Sequence, residues 1–148
     1  MPILWVANDH AAFALKNDLL TTARAMGWQI RDLGSQPGER VDYPDMARAL
    51  AAAFDGQNPH RGLLICGSGI GISMAANRHP HLRAGLCHDV TSARLARGHN
   101  DANVLCLGAR FLGVQTAQDI LQAFLDSAFE GGRHAHRVDK LGCGFTAQ

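Results

Sequence analysis

Cys66 ends the apolar run Leu63-Leu64-Ile65 and is followed at once by Gly67-Ser68-Gly69-Ile70-Gly71-Ile72-Ser73, a glycine-rich turn leading into a helix-like stretch through Asn77. This order puts a thiol and a set of open backbone N–H groups together at the mouth of a strand. Glycines let a ligand come close to the backbone, and the start of a helix favours negative charge, so the turn can hold a phosphate or meet a developing oxyanion. The same field favours a thiolate at Cys66. The plainer reading is that Cys66 is a small core residue and the glycines only make a tight turn. Two nucleotide-binding readings are excluded. A dinucleotide fingerprint needs its third glycine where this chain has Ile72, and a P-loop needs a Lys-Ser/Thr pair that is absent.

The elements that must position this turn are legible in the apolar pattern. Ile3 to Ala7, Leu63 to Cys66, Ala84 to Cys87 and Val104 to Leu107 are continuous apolar runs of the kind buried on both faces, and Trp28-Gln29-Ile30-Arg31 alternates like a half-exposed strand. Between them run helical patterns. Ala12, Leu15, Leu19, Ala23 and Met26 share one face that Gly27 can terminate, and Thr116 to Leu125 continues the pattern after the last strand. About five strands alternating with helices predict an α/β fold, a three-layer, doubly wound parallel sheet of Rossmann-like type. The 148 residues carry no linker or low-complexity stretch and suit a single domain, 1–148.

Composition narrows the function classes. A net charge of +1 without basic blocks gives no electrostatic case for nucleic acid. No apolar stretch approaches the roughly 20 residues that span a bilayer, and Met1-Pro2-Ile3-Leu4-Trp5 lacks the basic start of a signal peptide. The expectation is a cytoplasmic protein with no membrane partner. Its four cysteines, Cys66, Cys87, Cys106 and Cys143, form no CxxC pair, so reduced thiols are expected.

In such sheets ligands bind at the carboxyl ends of the strands. Asp9 and His10 follow the first strand, Tyr43 is placed in the loop after the second, Cys66 to Gly71 follow the third, and Arg110 follows the fifth. These can converge. Arg97-Gly98-His99-Asn100-Asp101 instead joins a helix to the start of a strand, and Arg133 and Arg137 come after the last helix has run back. Both groups are expected at the opposite end of the subunit, out of reach of its own Cys66. They are therefore either structural or offered to a partner chain. The structural reading of His99-Asn100 is a helix C-cap with Gly98 in the left-handed conformation. For Glu130-Gly131-Gly132-Arg133-His134-Ala135-His136-Arg137 it is a solvated tail, although two arginines four apart share one side of a helix and can grip a phosphate.

Asn8-Asp9-His10, Val41-Asp42-Tyr43-Pro44, Cys66 through Ser73, Gly98-His99-Asn100-Asp101 and Glu130 through His134 stand in an order and at a spacing that resembles ribose-5-phosphate isomerase B, of the ribose/galactose-6-phosphate isomerase family. The likeness runs from the first strand to about Arg137. It implies an aldose–ketose isomerase of phosphorylated sugars with no cofactor and no metal. Cys66 would be the base that moves a proton between carbons 1 and 2 through an enediolate, with the Gly67, Ser68, Gly69, Ile70 and Gly71 segment supplying donors. His99 would help open the sugar ring. Asp9, His10, Tyr43, Asn100, Arg110, Arg133 and Arg137 would contact substrate, the last two as the phosphate clamp. The resemblance also implies a homodimer with two shared sites, or a pair of such dimers, with the C-terminal tail from about residue 130 reaching the partner subunit.

Some family members use a glutamate base. The corresponding position here is Ala75 or Ala76, which favours the cysteine branch. Ser68 stands where threonine is common, Ala12 where glycine is common, and the tail Leu141-Gly142-Cys143-Gly144-Phe145 departs from the usual C-terminal helix. These departures leave the sugar open among ribose 5-phosphate, tetrulose 4-phosphate, allose 6-phosphate and galactose 6-phosphate. Two other readings are a zinc site from Cys87-His88-Asp89 with His134 and His136, whose spacings match no zinc motif, and a non-catalytic sugar-phosphate-binding subunit.

Overall fold

A computed structural model describes residues 1–142; Cys143, Gly144 and Phe145, on which the atypical tail was placed, lie outside the described residues. The strands are β1 (Ile3–Asn8), β2 (Gln29–Asp32), β3 (Arg61–Cys66), β4 (Ala84–Leu86) and β5 (Val104–Gly108). The helices are α1 (Phe13–Ala25), α2 (Tyr43–Ala53), α3 (Ile70–Ala76), α4 (Val90–Gly98), α5 (Val114–Asp126) and α6 (Ala135–Leu141). All strand pairs are parallel, in the order β2-β1-β3-β5-β4.

That order fixes which helix lies on which face. A right-handed crossover puts its helix on one face when the chain steps one way across the sheet and on the other when it steps back. The steps β1 to β2 and β4 to β5 run in one direction, and α1 and α4 share a layer with α5. The steps β2 to β3 and β3 to β4 run in the other, and α2 packs on α3. The expected three layers follow. Successive residues of the central strands serve alternate cores: Leu63, Ile65, Leu105 and Leu107 face the α1/α4/α5 layer, while Leu64, Cys66, Val104 and Cys106 face α2 and α3. Every residue of β3 and β5 is buried, and beyond Arg61, whose guanidinium donates to Asn58 Oδ1 and His60 O, both strands read as unbroken apolar runs.

Helix ends carry their own signals. Gly27, with φ +87, lies just beyond α1, as the sequence predicts. Asp89 caps α4 with a full capping box, its carboxylate accepting from Ser92 N at 2.6 Å. α2 was not anticipated: Tyr43 is its first residue rather than a loop residue, because Pro44 suits the first turn of a helix and Ala47 and Leu50 supply a buried face.

Candidate active site

The chain moves from β1 to β2 on one side and to β3 on the other, so the carboxyl ends of β1 and β3 flank a topological switch point. The turn after β3 is tied in place by its neighbours. Ala109 N donates to Cys66 O and Arg110 N to Gly67 O, both at 2.9 Å, and Asp9 N donates to Ile65 O at 3.1 Å. Cys66, Asp9 and Arg110 are thus held together by main-chain bonds.

Within the turn, Gly69 adopts φ +75 and its N–H donates to Cys66 Sγ at 3.1 Å. Ser68 Oγ accepts from Ile70 N at 3.2 Å and keeps its own proton to donate. The amides of Ser68 and Gly71 have no acceptor among the described residues. Two amides of the predicted donor set are therefore committed, that of Gly69 to the thiol and that of Ile70 to the Ser68 hydroxyl. α3 is only seven residues long, so a ligand here meets local N–H groups more than a helix dipole.

Close approach explains two more glycines. A Cβ on Gly71 would lie 2.6 Å from Tyr43 Cζ, and one on Gly67 would lie 3.2 Å from the Arg110 guanidinium. Tyr43 and Arg110 are therefore laid directly over the turn. Asp9 is 7% exposed and caps a 3-10 turn at His10–Ala12 through Ala11 N, at 2.9 Å from Oδ1. His10 is exposed, with Nδ1 3.2 Å from Val41 O in the segment leading to Tyr43.

His99, Asn100, Arg133 and Arg137 are not in this cluster. His99 is the C-cap of α4, and the chain turns through Asn100, Asp101 and Ala102 into the amino end of β5. From Val104 to Gly108, β5 alone separates the two ends by about 13 Å, at roughly 3.3 Å per residue. The left-handed residue of this turn is Asp101, φ +45, and not Gly98. Gly98 instead leaves room for the end of the Glu130 side chain, since a Cβ there would lie 2.9 Å from Glu130 Oε1. Asp101 is held in its unfavourable conformation by Arg97 at 2.9 Å and Arg83 at 3.0 Å, one on each carboxylate oxygen. Burial and the nearby Arg97 lower the pKa of Arg61 on the same edge to about 10.

Arg133 and Arg137 do not share one helix. Arg133 is in a 3-10 turn, Gly132–His134, and Arg137 is in α6, which follows directly; both are exposed. Sequence reasoning gives no role to Glu130 or Arg83, and considers His134 only as a ligand in the zinc reading. The rings of His99 and His134 stack at 4.1 Å with 14° between their planes, and Glu130 Oε2 lies 3.7 Å from His99 Nε2 and 3.6 Å from His134 Nε2. The only signal for this in the sequence is the four-residue spacing of Glu130 and His134. A cavity of about 580 Å³ adjoins this end, with Arg83, Asn100 and Val138 in its wall.

His99, Glu130 and His134 bring three possible ligand atoms within 4.8 Å and are the group best suited to a metal among the described residues. The set Cys87-His88-Asp89 with His134 is not assembled. Asp89 is spent on the α4 cap, His88 lies edge-on to Phe111, and burial raises the Cys87 thiol to about 11.

A family model described as Ribose/Galactose Isomerase matches residues 4–141. The chain is 42% identical to ribose-5-phosphate isomerase B of Escherichia coli, over 90% of this chain and 89% of that one. It is also 42% identical to D-erythrulose-4-phosphate isomerase of Pectobacterium atrosepticum, over 93% and 91%. The structure of ribose 5-phosphate isomerase B from Anaplasma phagocytophilum superposes with a TM-score of 0.90 at 45% identity, covering 95% of this chain and 96% of that one.

Proposed function

The chain belongs to the ribose/galactose isomerase family and is an aldose–ketose isomerase of phosphorylated sugars; we propose that it converts ribose 5-phosphate to ribulose 5-phosphate with Cys66 as the base. The observation that carries this reading is the thiol itself, which lies at the switch point under a glycine turn whose Gly69 amide contacts the sulfur. The thiolate takes the proton from C2 of the open-chain aldose. The electron pair moves through the forming C1–C2 double bond onto O1, and the free amides of Ser68 and Gly71 with the Ser68 hydroxyl meet that charge. The thiol then returns the proton to C1, while the hydroxyl proton passes from O2 to O1 and leaves the carbonyl at C2. Asp9, His10, Tyr43 and Arg110 contact the sugar.

Ring opening needs a second acid–base group, and His99 fills that role from a partner subunit together with Asn100 and the phosphate-binding Arg133 and Arg137. Their place at the amino end of the sheet supports this, as does the exposed apolar surface beside the turn, with Ile70 at 45% and Met74 at 63% exposure one helical turn apart. We infer a homodimer with two shared sites. No helix among the described residues is long and apolar enough to cross a membrane.

A related substrate is the second reading. It is favoured by the equal identity to a tetrulose-phosphate isomerase and by Ser68, which has less volume than threonine. Turnover of ribose 5-phosphate, tested beside tetrose and hexose phosphates with Cys66→Ala as control, decides between them. Full activity in Cys66→Ala would refute the assigned base.

A further inference from the structure

We propose that Glu130 and His134 are positioning residues for His99: one carboxylate faces the Nε2 of both imidazoles, and the buried ring of His134 fixes the plane of the His99 ring that passes its proton to the sugar. The inference rests on the reading of His99 as the ring-opening group.

Three observations carry it. The His99 side chain is 36% exposed, whereas that of His134 is only 8% exposed, so of the two stacked rings only His99 can present an edge to a substrate. The contact is built into the backbone as well. Glu130 N donates to Gly98 O at 3.0 Å, His99 N to Leu95 O at 2.9 Å, and His134 N to Gly131 O at 3.0 Å. This ties the end of α4 to the segment that carries the carboxylate and the second ring. Finally, Gly98 has no side chain where Glu130 Oε1 sits, which lets the carboxylate lie against the end of the helix.

The charges divide the roles. Two imidazolium rings 4.1 Å apart would repel each other across the stack. Burial, then His99, then Arg133 depress the pKa of His134, and Arg137 adds to this, while Glu130 opposes it. His134 therefore stays the neutral platform. The groups facing the pair are Glu130 before the 3-10 turn, Arg133 on it and Arg137 on α6. The 3-10 turn that supplies the platform also bears Arg133, so gripping the phosphate and aiming the imidazole are done by one short segment.

The test compares kcat and KM of Glu130→Gln, His134→Phe and His134→Ala on ribose 5-phosphate. General acid–base groups contribute about 10²–10⁴-fold, so misaiming one should lower kcat by roughly tenfold or more in His134→Ala with KM little changed. His134→Phe, which keeps an aromatic face, should restore most of that loss. Glu130→Gln keeps the size of the side chain but removes the charge that faces both rings, and should lower kcat with KM little changed. A tetrose 4-phosphate cannot close a furanose ring, its O4 being esterified, so where the wild type accepts it the three variants should turn it over like the wild type. Equal losses for His134→Phe and His134→Ala, or an unchanged kcat in Glu130→Gln, overturn the proposal. A wild type inactive on ribose 5-phosphate would instead refute the functional reading.

Discussion

Gly69→Ala is a demanding test of how the turn after β3 works, because the structure penalises the added methyl twice. Gly69 has φ +75, a conformation that costs an L-residue about 1–2 kcal/mol. The new Cβ would also lie 2.6 Å from Leu86 Cδ1, 2.8 Å from Leu107 C and 3.0 Å from Gly108 N. Two of these three contacts are backbone of β5 and cannot swing aside, so overpacking adds about 1–3 kcal/mol. Gly27 provides the control. It has φ +87 and nothing within 4 Å of its Cβ position, so Gly27→Ala carries the conformational cost without the clash. Urea unfolding, run at two protein concentrations because association contributes to stability, should place Gly69→Ala about 1–3 kcal/mol below Gly27→Ala. The turn must also shift to admit the methyl, which pulls the Gly69 amide from its place 3.1 Å from Cys66 Sγ. The same shift displaces the neighbouring Ser68 and Gly71 amides, and since one oxyanion donor is worth about 10²–10³ in kcat, a loss of at least tenfold in kcat/KM is expected in Gly69→Ala and none in Gly27→Ala. Equal stabilities of the two variants, or full activity in Gly69→Ala, would refute the argument that β5 packs the turn onto the thiol.

Asp101→Ala should cost about 3–5 kcal/mol, since it leaves Arg97, 2% exposed, without its carboxylate; Asp101→Gly should recover about 1 kcal/mol of this by relieving the positive φ, and equal unfolding midpoints for the two would show that φ +45 carries no strain. Between the depressed pKa of folded His134 and about 6.5, the unfolded chain binds the extra proton. Stability therefore falls on acidification through that window, and a Tm-against-pH curve should be flatter there in His134→Phe than in the wild type. Asp89 behaves oppositely in origin. Hydrogen bonds from Ser92 lower its carboxyl pKa, so its contribution is present above about 3.9 and is lost as pH falls through the lowered value. Asp89→Ala should raise amide exchange in the first turn of α4 at neutral pH and leave the rest of the chain protected.

The parts of the fold that were legible in the sequence are those where one residue type answers to one constraint. Burial on both faces favours apolar side chains from Leu63 to Cys66 and along β5, so these runs announce their strands. The end of α1 needs a residue at positive φ, and Gly27 supplies it. α2 escaped notice because its first turn, Tyr43-Pro44-Asp45, has the look of a loop and only Ala47 and Leu50 are fully buried. The turn holding His99 was misassigned for a comparable reason. Glycine is the usual left-handed residue, yet here Gly98 makes room for Glu130, and two arginines hold Asp101 in the strained conformation. Contacts between side chains far apart in sequence, such as Arg83 with Asp101 or His99 with His134, leave no local pattern to read.

The division of the site between two ends of the subunit follows from topology rather than from any particular residue. In a parallel sheet every strand delivers its chain to the carboxyl edge, and every helix carries it back to the amino edge. Asp9, Cys66 and Arg110 come just after strands, and Tyr43 opens the helix after β2, so all four gather at the first edge. His99 closes α4, while Arg133 and Arg137 follow α5, so these lie at the second. No side-chain adjustment can cross the roughly 13 Å of β5 between the edges. If one reaction uses both sets, a single subunit cannot complete the site, and mixing must restore activity that each variant lacks alone. Dimers reassembled from inactive Cys66→Ala and inactive His99→Asn chains should carry one site with both residues intact. Of randomly paired chains about half are mixed, so the mixture should reach about a quarter of wild-type activity per site. Activity that stays at the level of the separate variants after verified subunit exchange would show that Cys66 and His99 serve the same subunit, or different reactions.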